Sequence, residues 1–216
     1  MRRTVVLLGP PASGKGTQAA RFSRAHDFLH FDMGGALREA AAGDSPLAEE
    51  IRSYTDAGHL VPDEVVRRLI ELMFAANRER DIILDGFPRS MEQAELLEHA
   101  MSEAGRELTA AVLIGLPEEE IAIRILNRRV CPVCGKAYNL VTMPPKSDEK
   151  CDDDGYPLEH RADDTEEVLK ERLAVYKEKT RPIIAHYEAV GVLARVDGTA
   201  GVNDVGEQIE KVVLDS

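Results

Sequence analysis

Short apolar runs, each ended by a glycine or a polar residue, recur along the chain and predict five strands. The runs are TVVLL at 4–8, FLHF at 28–31, DIILDG at 81–86, AAVLIGL at 110–116 and VLARV at 192–196. Continuous apolar runs of this length are typical of strands that are buried on both faces. Helical patterns lie between them, so the alternation predicts an α/β fold with a mostly parallel five-stranded sheet flanked by helices. Ligands of such sheets bind at the carboxyl ends of the strands.

Two segments interrupt the alternation of strands and helices. Residues 32–61 contain helical patterns without an intervening strand, and residues 131–163 are rich in Cys, Pro, Asp and Gly. We interpret both segments as insertions over the edge of the sheet. The predicted core is then formed by residues 1–31, 62–130 and 164–216.

Two predicted helices carry residues that matter below. From Thr165 to Val190 the pattern predicts a long amphipathic helix, which Pro182 should kink or restart. Arg124 and Arg128 are four residues apart in another helical pattern, so we expect their side chains to lie on the same helix face.

Composition narrows the possible classes of protein. The 216 residues, 44% hydrophobic, are enough for one main core, and no apolar run reaches the roughly 18 residues of a membrane-spanning helix. The opening MRRTVVLLGPP has too short an apolar run for a secretory signal, so we expect a cytoplasmic protein. A net charge of −12 disfavours nucleic acid and anionic membranes as partners. No feature indicates an oligomer interface, so a monomer is expected.

The segment GPPASGKGT, residues 9–17, follows the first predicted strand and precedes a helical pattern. Glycines at these positions let main-chain N–H groups turn toward phosphate oxygens at the positive end of a helix. Lys15 would reach the β- and γ-phosphates of a nucleotide, with Gly16 inserted before Thr17. Thr17 and Asp85, at the end of the DIILD run, are the candidates for supporting Mg²⁺. The motif predicts a phosphate-binding loop.

All three cysteines fall within one short window and predict a metal site. Cys131 and Cys134 are separated by two residues, as are Cys151 and Asp154. Three thiolates and one carboxylate suit a tetrahedral structural Zn²⁺ with no open coordination position. About 30 residues bury too little apolar surface to fold alone, so the metal would supply folding free energy. Three other side chains could replace Asp154 as the fourth ligand: Asp152, Asp153 and His160.

Six blocks, taken together, resemble the adenylate kinase family over nearly the whole chain. They are GPPASGKGTQ, AGHLVPDEVV, ILDGFPRSMEQA, RILNRRVCPVCGKAY, RADDTEEVLKERL and VDGT. The resemblance implies a P-loop NTPase-type core, an insertion at 32–61 that binds the nucleoside monophosphate, and a zinc-bearing lid at 131–163. The implied reaction is reversible transfer of a phosphoryl group from MgATP to AMP, giving two ADP. Lid closure and electrostatic stabilisation would drive it without a covalent intermediate or a general base.

The resemblance also implies roles for individual residues. The catalytic set would be Lys15, Arg89, Arg128, Arg161 and Arg172. ATP would contact Ala12, Ser13, Gly14, Lys15, Gly16, Thr17, Arg124, Arg128, Ala137, Tyr138 and Ala200, with Arg124 stacked on the base. AMP would contact Met33, Arg38, His59, Leu60, Val61, Gly86, Phe87, Pro88, Arg89, Gln93, Arg161 and Arg172, with Gln93 at the base edge.

The chain departs from the family pattern in the acceptor block. Asp32-Met33-Gly34-Gly35 stands where the family has Ser-Thr-Gly-Asp, so a thioether replaces the hydroxyl that lines the AMP base and Gly35 replaces the Asp. Hydrogen-bonding groups of this kind determine discrimination between bases. AMP remains the expected acceptor. The alternatives are a UMP/CMP or other nucleoside monophosphate kinase, and, from another class, a non-catalytic nucleotide-sensing or zinc-ribbon binding module.

Overall fold

The structure is a computed structural model that describes residues 1–56 and 59–215, and it contains the predicted parallel sheet. Strand order in the five-stranded sheet is β2-β3-β1-β4-β7, with every pair parallel. The predicted fold class is therefore confirmed. The strands are β1 (Arg2–Leu8), β2 (Leu29–Asp32), β3 (Ile82–Asp85), β4 (Arg106–Gly115), β5 (Arg128–Val130), β6 (Ala137–Asn139) and β7 (Leu193–Asp197).

Helices cover both faces of this sheet. They are α1 (Lys15–His26), α2 (Met33–Ala41), α3 (Pro46–Thr55), α4 (Asp63–Ala76), α5 (Met91–Glu103), α6 (Glu118–Leu126), α7 (Glu166–Val175), α8 (Arg181–Ala189) and α9 (Val202–Leu214). Ser45, Ser90 and Thr165 begin α3, α5 and α7 by accepting a hydrogen bond from the N–H three residues later. Within the described part of the chain, no helix is long and apolar enough to cross a membrane.

Alternate residues of the strands enter two separate apolar layers. Val6 and Leu8 of β1 pack in a layer with residues of α4, α5 and α8, whereas Val5 and Leu7 pack on the opposite face against α1 and α9. All four side chains are at most 2% exposed. This two-residue period explains why the strands read as continuous apolar runs, since both faces are buried.

Strand β4 begins at Arg106, four residues before the predicted apolar run. Its first residues pair with β1 ahead of a register shift between Thr4 and Val5. Arg106 is only 4% exposed, and its guanidinium donates to the Thr4 hydroxyl and to main-chain carbonyls. Hydrophobicity predicts the apolar part of β4 but misses the start of the strand, because its first residue is a buried arginine.

The expectation that Arg124 and Arg128 share a helix face was wrong. Helix α6 ends at Leu126, and Arg128 is the first residue of β5, which pairs antiparallel with β6. The Arg128↔Asn139 pairing continues the chain into a hairpin, and local β-pairing there prevails over the helical pattern. The two arginines consequently contact different elements.

The predicted helix from Thr165 to Val190 is nearly continuous but changes type. Helix α7 is followed by a π-helical turn at Tyr176–Thr180 and then by α8, in which Pro182 is the second residue. Proline is tolerated in the first turn of a helix because its missing N–H has no partner to lose there. Pro182 thus marks the start of a new helical segment without interrupting the run of helical residues.

The two inserted segments are structurally distinct from the sheet. Within residues 32–61, Asp32 ends β2, and the other described residues contain α2 and α3 with no strand. In the second segment the β5–β6 hairpin and short bridges such as Val130↔Glu159 surround a small buried cluster of Cys131, Tyr138, Cys151 and Leu158. The division into core, monophosphate-binding insertion and lid stays a prediction.

Candidate active site and metal centre

The loop after β1 adopts a conformation suited to phosphate. Gly9, Ala12 and Gly14 have φ values of 148°, 58° and 96°. A Cβ atom at Gly9 would lie 2.6 Å from the Ile114 carbonyl oxygen, so only glycine fits this approach between loop and sheet. Helix α1 begins directly after Gly14, and its unpaired N–H groups therefore border the loop.

Lys15 is folded back into this loop. Its Nζ donates to the carbonyls of Gly9 and Pro10, both at 2.9 Å. Burial lowers the pKa of Lys15 to about 8; Asp85 opposes this shift, and Arg89 and Arg128 reinforce it. The ammonium group is therefore close to these charges, and a bound phosphate would supply the countercharge that it lacks.

Asp85 lies against the same loop. It ends β3, is 8% exposed, and its Oδ2 would be 3.0 Å from a Cβ atom at Gly16. His30, on the neighbouring strand β2, has Nε2 3.6 Å from the same oxygen. The loop therefore brings Gly16, the residue before Thr17, to this carboxylate. His30 was not predicted, since it lies within an apolar run with no motif around it.

The segment after β3 fixes Arg89. Gly86 has φ 75°, and the Phe87-Pro88 peptide bond is cis, with Phe87 only 1% exposed. The Arg89 Nε donates to the Gly86 carbonyl at 2.7 Å. Burial lowers the pKa of Arg89, and Arg172 is the next contributor, so the two guanidinium groups are neighbours.

Two further contacts hold the main chain of Arg89. Gln93 accepts from the Arg89 N–H at 2.9 Å, and its amide donates to Asp63 at 3.1 Å. The Thr180 hydroxyl, at the end of the π-helical turn, donates to the Arg89 carbonyl at 2.9 Å. Gln93 is 3% exposed, so its amide is committed to internal hydrogen bonds. Thr180 lies outside every motif noted above.

Two adjacent carboxylates form ion pairs with the other three arginines. Asp164 accepts from Arg128, and Asp163 accepts from both Arg161 and Arg172. Burial of Asp163 opposes its ionisation, but the two arginines hold its pKa well below the usual range. The three predicted arginines thus converge, although no sequence argument had assigned either aspartate. The two consecutive acidic residues of the RADD block were the one sequence feature that could have indicated partners for these arginines.

Arg38 contacts Asp32 at 3.2 Å. Burial lowers the pKa of Arg38, and Arg161 is the second contributor, which places the Arg38 guanidinium near that of Arg161. Around it, Met33 and Val61 are 3% and 5% exposed and pack in one apolar cluster. His59 donates its main-chain N–H to Tyr54, and its ring is exposed. Leu60 lies between His59 and Val61.

The residues predicted to hold the ATP base are only partly assembled. Arg124 donates to Glu120 and to the Gly198 carbonyl, both at 2.9 Å, so its guanidinium lies beside the VDGT segment that leads to Ala200. Ala137 is in β6. The Tyr138 hydroxyl faces the cysteines and accepts from the Asp152 N–H at 2.7 Å. The Tyr138 side chain is therefore turned toward the cysteines and is not placed to contact a base.

The predicted metal ligands form one compact group. One ligand atom each from Cys131, Cys134, Cys151 and Asp154 lies within 4.8 Å of the others. A hydrogen bond from the Tyr156 N–H lowers the pKa of Asp154 to about 2, so the carboxylate is ionised at neutral pH. Two of the three alternative ligands are otherwise engaged: Asp152 accepts from the Lys146 main-chain N–H, and Asp153 contacts Lys136. His160, the third, is not part of the compact group. The donor set fits Zn²⁺.

Two turns of the same geometry present these ligands. Gly135 donates its N–H to the Cys131 carbonyl at 3.0 Å, and Gly155 donates to Cys151 at 2.9 Å. The two glycines have φ 73° and 71°. The Cys131 and Cys151 N–H groups in turn donate to the carbonyls five residues later. Each turn places two ligands on the same side, so the paired turns enclose a four-ligand site.

Comparison with known proteins agrees with the arrangement of these residues. The family model described as adenylate kinase matches residues 7–192. The adenylate kinase of Thermotoga petrophila is 42% identical over 215 residues, covering 99% of this chain and 98% of that protein. The adenylate kinase of Archaeoglobus fulgidus is 42% identical over 210 residues, covering 97% of each. This chain belongs to the adenylate kinase family.

Proposed function

We propose that this protein transfers the terminal phosphoryl group of MgATP to AMP, reversibly, giving two ADP. The observation that carries the proposal is a group of five neighbouring cationic side chains that begins in the loop at 9–17. They are Lys15, Arg89, Arg128, Arg161 and Arg172. A phosphate oxygen of AMP attacks the γ-phosphorus, and the bond from that phosphorus to the β-phosphate oxygen breaks.

The loop and helix α1 bind the donor phosphates. Main-chain N–H groups from Ala12 to Thr17 bind phosphate oxygens, and the Lys15 ammonium leaves the Gly9 and Pro10 carbonyls to contact the β- and γ-phosphates. The Thr17 hydroxyl and the Asp85 carboxylate would support the Mg²⁺ that accompanies ATP, which would offset phosphate charge. No general base is required because the attacking group is already an anion.

The arginines stabilise charge on the transferring group. Asp163 and Asp164 pair with Arg128, Arg161 and Arg172 and so orient these guanidinium groups toward one region. Phosphate oxygens provide the same kind of acceptor as these carboxylates, so the guanidinium groups can rotate onto substrate over a short path. Positioned cations in a site that excludes water supply most of the rate acceleration.

The segment at 131–163 acts as a lid held together by Zn²⁺ on Cys131, Cys134, Cys151 and Asp154. The metal supplies folding free energy to a region with only a four-residue buried cluster. The lid would carry Arg161 over ATP, between Arg128 and Arg172 at its two ends, and exclude water. Residues 32–61 would bind AMP. A cytoplasmic monomer remains part of this proposal.

AMP is the proposed acceptor, with Arg38 and Arg89 on its phosphate. Its base would lie near Met33 and Val61, whose side chains already form an apolar wall. Met33 offers no hydroxyl, so base discrimination rests on the Gln93 amide and the main chain. The Gln93 amide would leave Asp63 or present its remaining donor to the base.

Initial rates with MgATP and each of AMP, UMP, CMP and GMP test the proposal. We expect ADP formation with AMP at a kcat/KM at least about tenfold above the other acceptors. A Lys15→Met variant, folded by circular dichroism, should lose most of the rate and so exclude a contaminating kinase. Preference for UMP or CMP would replace the acceptor assignment, and no transfer to any acceptor would refute the function.

A further inference from the structure

Asp32 occupies an unusual place at the start of helix α2. It is the N-cap residue, yet among the described residues its carboxylate accepts no capping hydrogen bond. An N-cap aspartate ordinarily accepts from the N–H two or three residues later, here Gly34 or Gly35. The Asp32 carboxylate contacts Arg38 instead, at 3.2 Å.

The carboxylate fills the space beside Gly35. A Cβ atom built on Gly35 would lie 2.7 Å from Asp32 Oδ2 and 3.2 Å from its Cγ. Real Cβ atoms do not approach an oxygen so closely, so any side chain at position 35 would displace the carboxylate. Two glycines in the first turn also reduce helix stability, by roughly 1 kcal/mol each. Glycine at position 35 therefore destabilises the helix, but it leaves room for the Asp32 carboxylate.

The direction of the side chain links it to the phosphate site. Asp32 pairs with Asp85 in register at the carboxyl ends of β2 and β3. Its charge also acts on Lys15, Arg38 and Arg89, since it raises the pKa of each against the effect of burial. Asp32 thus lies near the cations that are proposed to bind phosphate.

We propose that Asp32 is a positioning residue for Arg38, supplying from position 32 the carboxylate that the family pattern places at position 35. This inference rests on the proposed function, in which Arg38 binds the AMP phosphate. The Arg38 side chain is 49% exposed, and one Asp32 oxygen holds its Nη2. The other guanidinium N–H groups stay available to phosphate, because arginine has five donors in a fixed plane.

An exchange of side chains between positions 32 and 35 tests the proposal. We expect Asp32→Ser to raise the KM for AMP about five- to tenfold, with the KM for ATP within about twofold of the wild type. Gly35→Asp alone should be worse, because it combines the 2.7 Å overlap with a second negative charge. The double variant, Asp32→Ser with Gly35→Asp, should recover most of the affinity for AMP.

Gly35→Ala separates the local effect from folding. The added methyl group should raise helix stability and yet raise the KM for AMP, because it displaces the carboxylate. Gly43→Ala is the matched control in the same insertion, since no described atom lies within 4 Å of a Cβ atom there. Equilibrium binding of AMP to each variant gives a readout that does not depend on turnover.

The outcomes are distinguishable. A wild-type protein that makes no ADP refutes the proposed function, whatever the variants do. A wild-type enzyme whose Asp32→Ser variant binds AMP equally well or more tightly refutes the role of Asp32. The same holds if the double variant is no better than Asp32→Ser, because the carboxylate would then have no function that position 35 can restore.

Discussion

Arg128 donates two hydrogen bonds to the carboxylate of Asp164, whose side chain is completely buried. Arg172 approaches the same carboxylate, at 3.6 Å. This aspartate therefore joins the base of the lid, where β5 begins, to helix α7. We expect Asp164→Ala to lower the free energy of unfolding by about 3 kcal/mol, because it leaves a largely buried guanidinium without its partner. Urea denaturation at neutral pH measures the loss.

A matched variant shows whether the loss comes from the buried pair. Asp148→Ala removes an exposed aspartate from the lid, and surface substitutions of this kind usually change stability by less than about 0.5 kcal/mol. Asp164→Ala should also reduce kcat, since Arg128 would lose its orientation. Equal stabilities for the two variants would show that Arg128 and Asp164 are not coupled in solution.

The lowered pKa of Lys15 predicts that ATP affinity depends on pH. With a pKa of about 8 in the free protein, Lys15 is charged below pH 8 and loses its proton above it. Bound phosphates favour the charged form, so binding takes up a proton above pH 8. The dissociation constant for ATP should therefore rise by about twofold between pH 7 and 8 and toward tenfold per pH unit above that, as titration calorimetry would measure.

Lys15→Met provides the control for this pH dependence. The variant should bind ATP weakly at every pH, and its affinity should lack the weakening above pH 8, because the titrating group is gone. Proton uptake measured in buffers of different ionisation enthalpy should disappear with it. A wild-type affinity that is unchanged up to pH 9.5 would mean that the Lys15 pKa is not lowered.

Residues close together in the sequence were the predictable part of the site. The loop from Gly9 to Thr17 and the two Cys turns are set by backbone conformation and short spacing, and the structure places them as expected. The strands were also predictable from local sequence, because burial on both faces of the sheet makes each strand a continuous apolar run. Local chemistry therefore identified the elements that we propose hold the phosphates and the metal.

Partners brought together by the fold could not be read from the pattern. Asp164 reaches Arg128 across 36 residues, and Thr180 reaches Arg89 across 91. A hydroxyl or carboxylate has no periodic signature that reveals such a partner. Arg128 itself was misplaced on a helix, because tertiary pairing in the β5–β6 hairpin outweighs local helix propensity.

The two glycines of the metal turns predict a measurable effect on zinc retention. A Cβ atom at Gly135 would have no described neighbour within 4 Å, so Gly135→Ala changes only the cost of φ 73°, about 1 kcal/mol. We expect the variant to release Zn²⁺ to a chromophoric chelator about fivefold faster than the wild type. Cys134→Ser, which removes a ligand, should release it faster still.

Gly191→Ala is the control for that substitution. Gly191 has φ 78° and the same open surroundings within the described chain, but it lies after α8, outside the lid. Its alanine variant should lose similar stability and keep its zinc release rate. If both alanine variants release zinc equally fast, the turn geometry has no specific part in holding the metal.

The hydrogen bond from Thr180 to the Arg89 carbonyl predicts that a helix far along the chain controls phosphate transfer. Thr180 is 7% exposed and ends the π-helical turn, so its position depends on that turn. Thr180→Val keeps the shape but leaves a carbonyl unpaired, at about 1–3 kcal/mol. We expect it to lower kcat about tenfold, because Arg89 loses its orientation, whereas Thr180→Ser keeps the hydroxyl and should stay within about twofold. Initial rates and thermal melting separate the two effects: equal kcat values for the valine and serine variants would restrict Thr180 to packing.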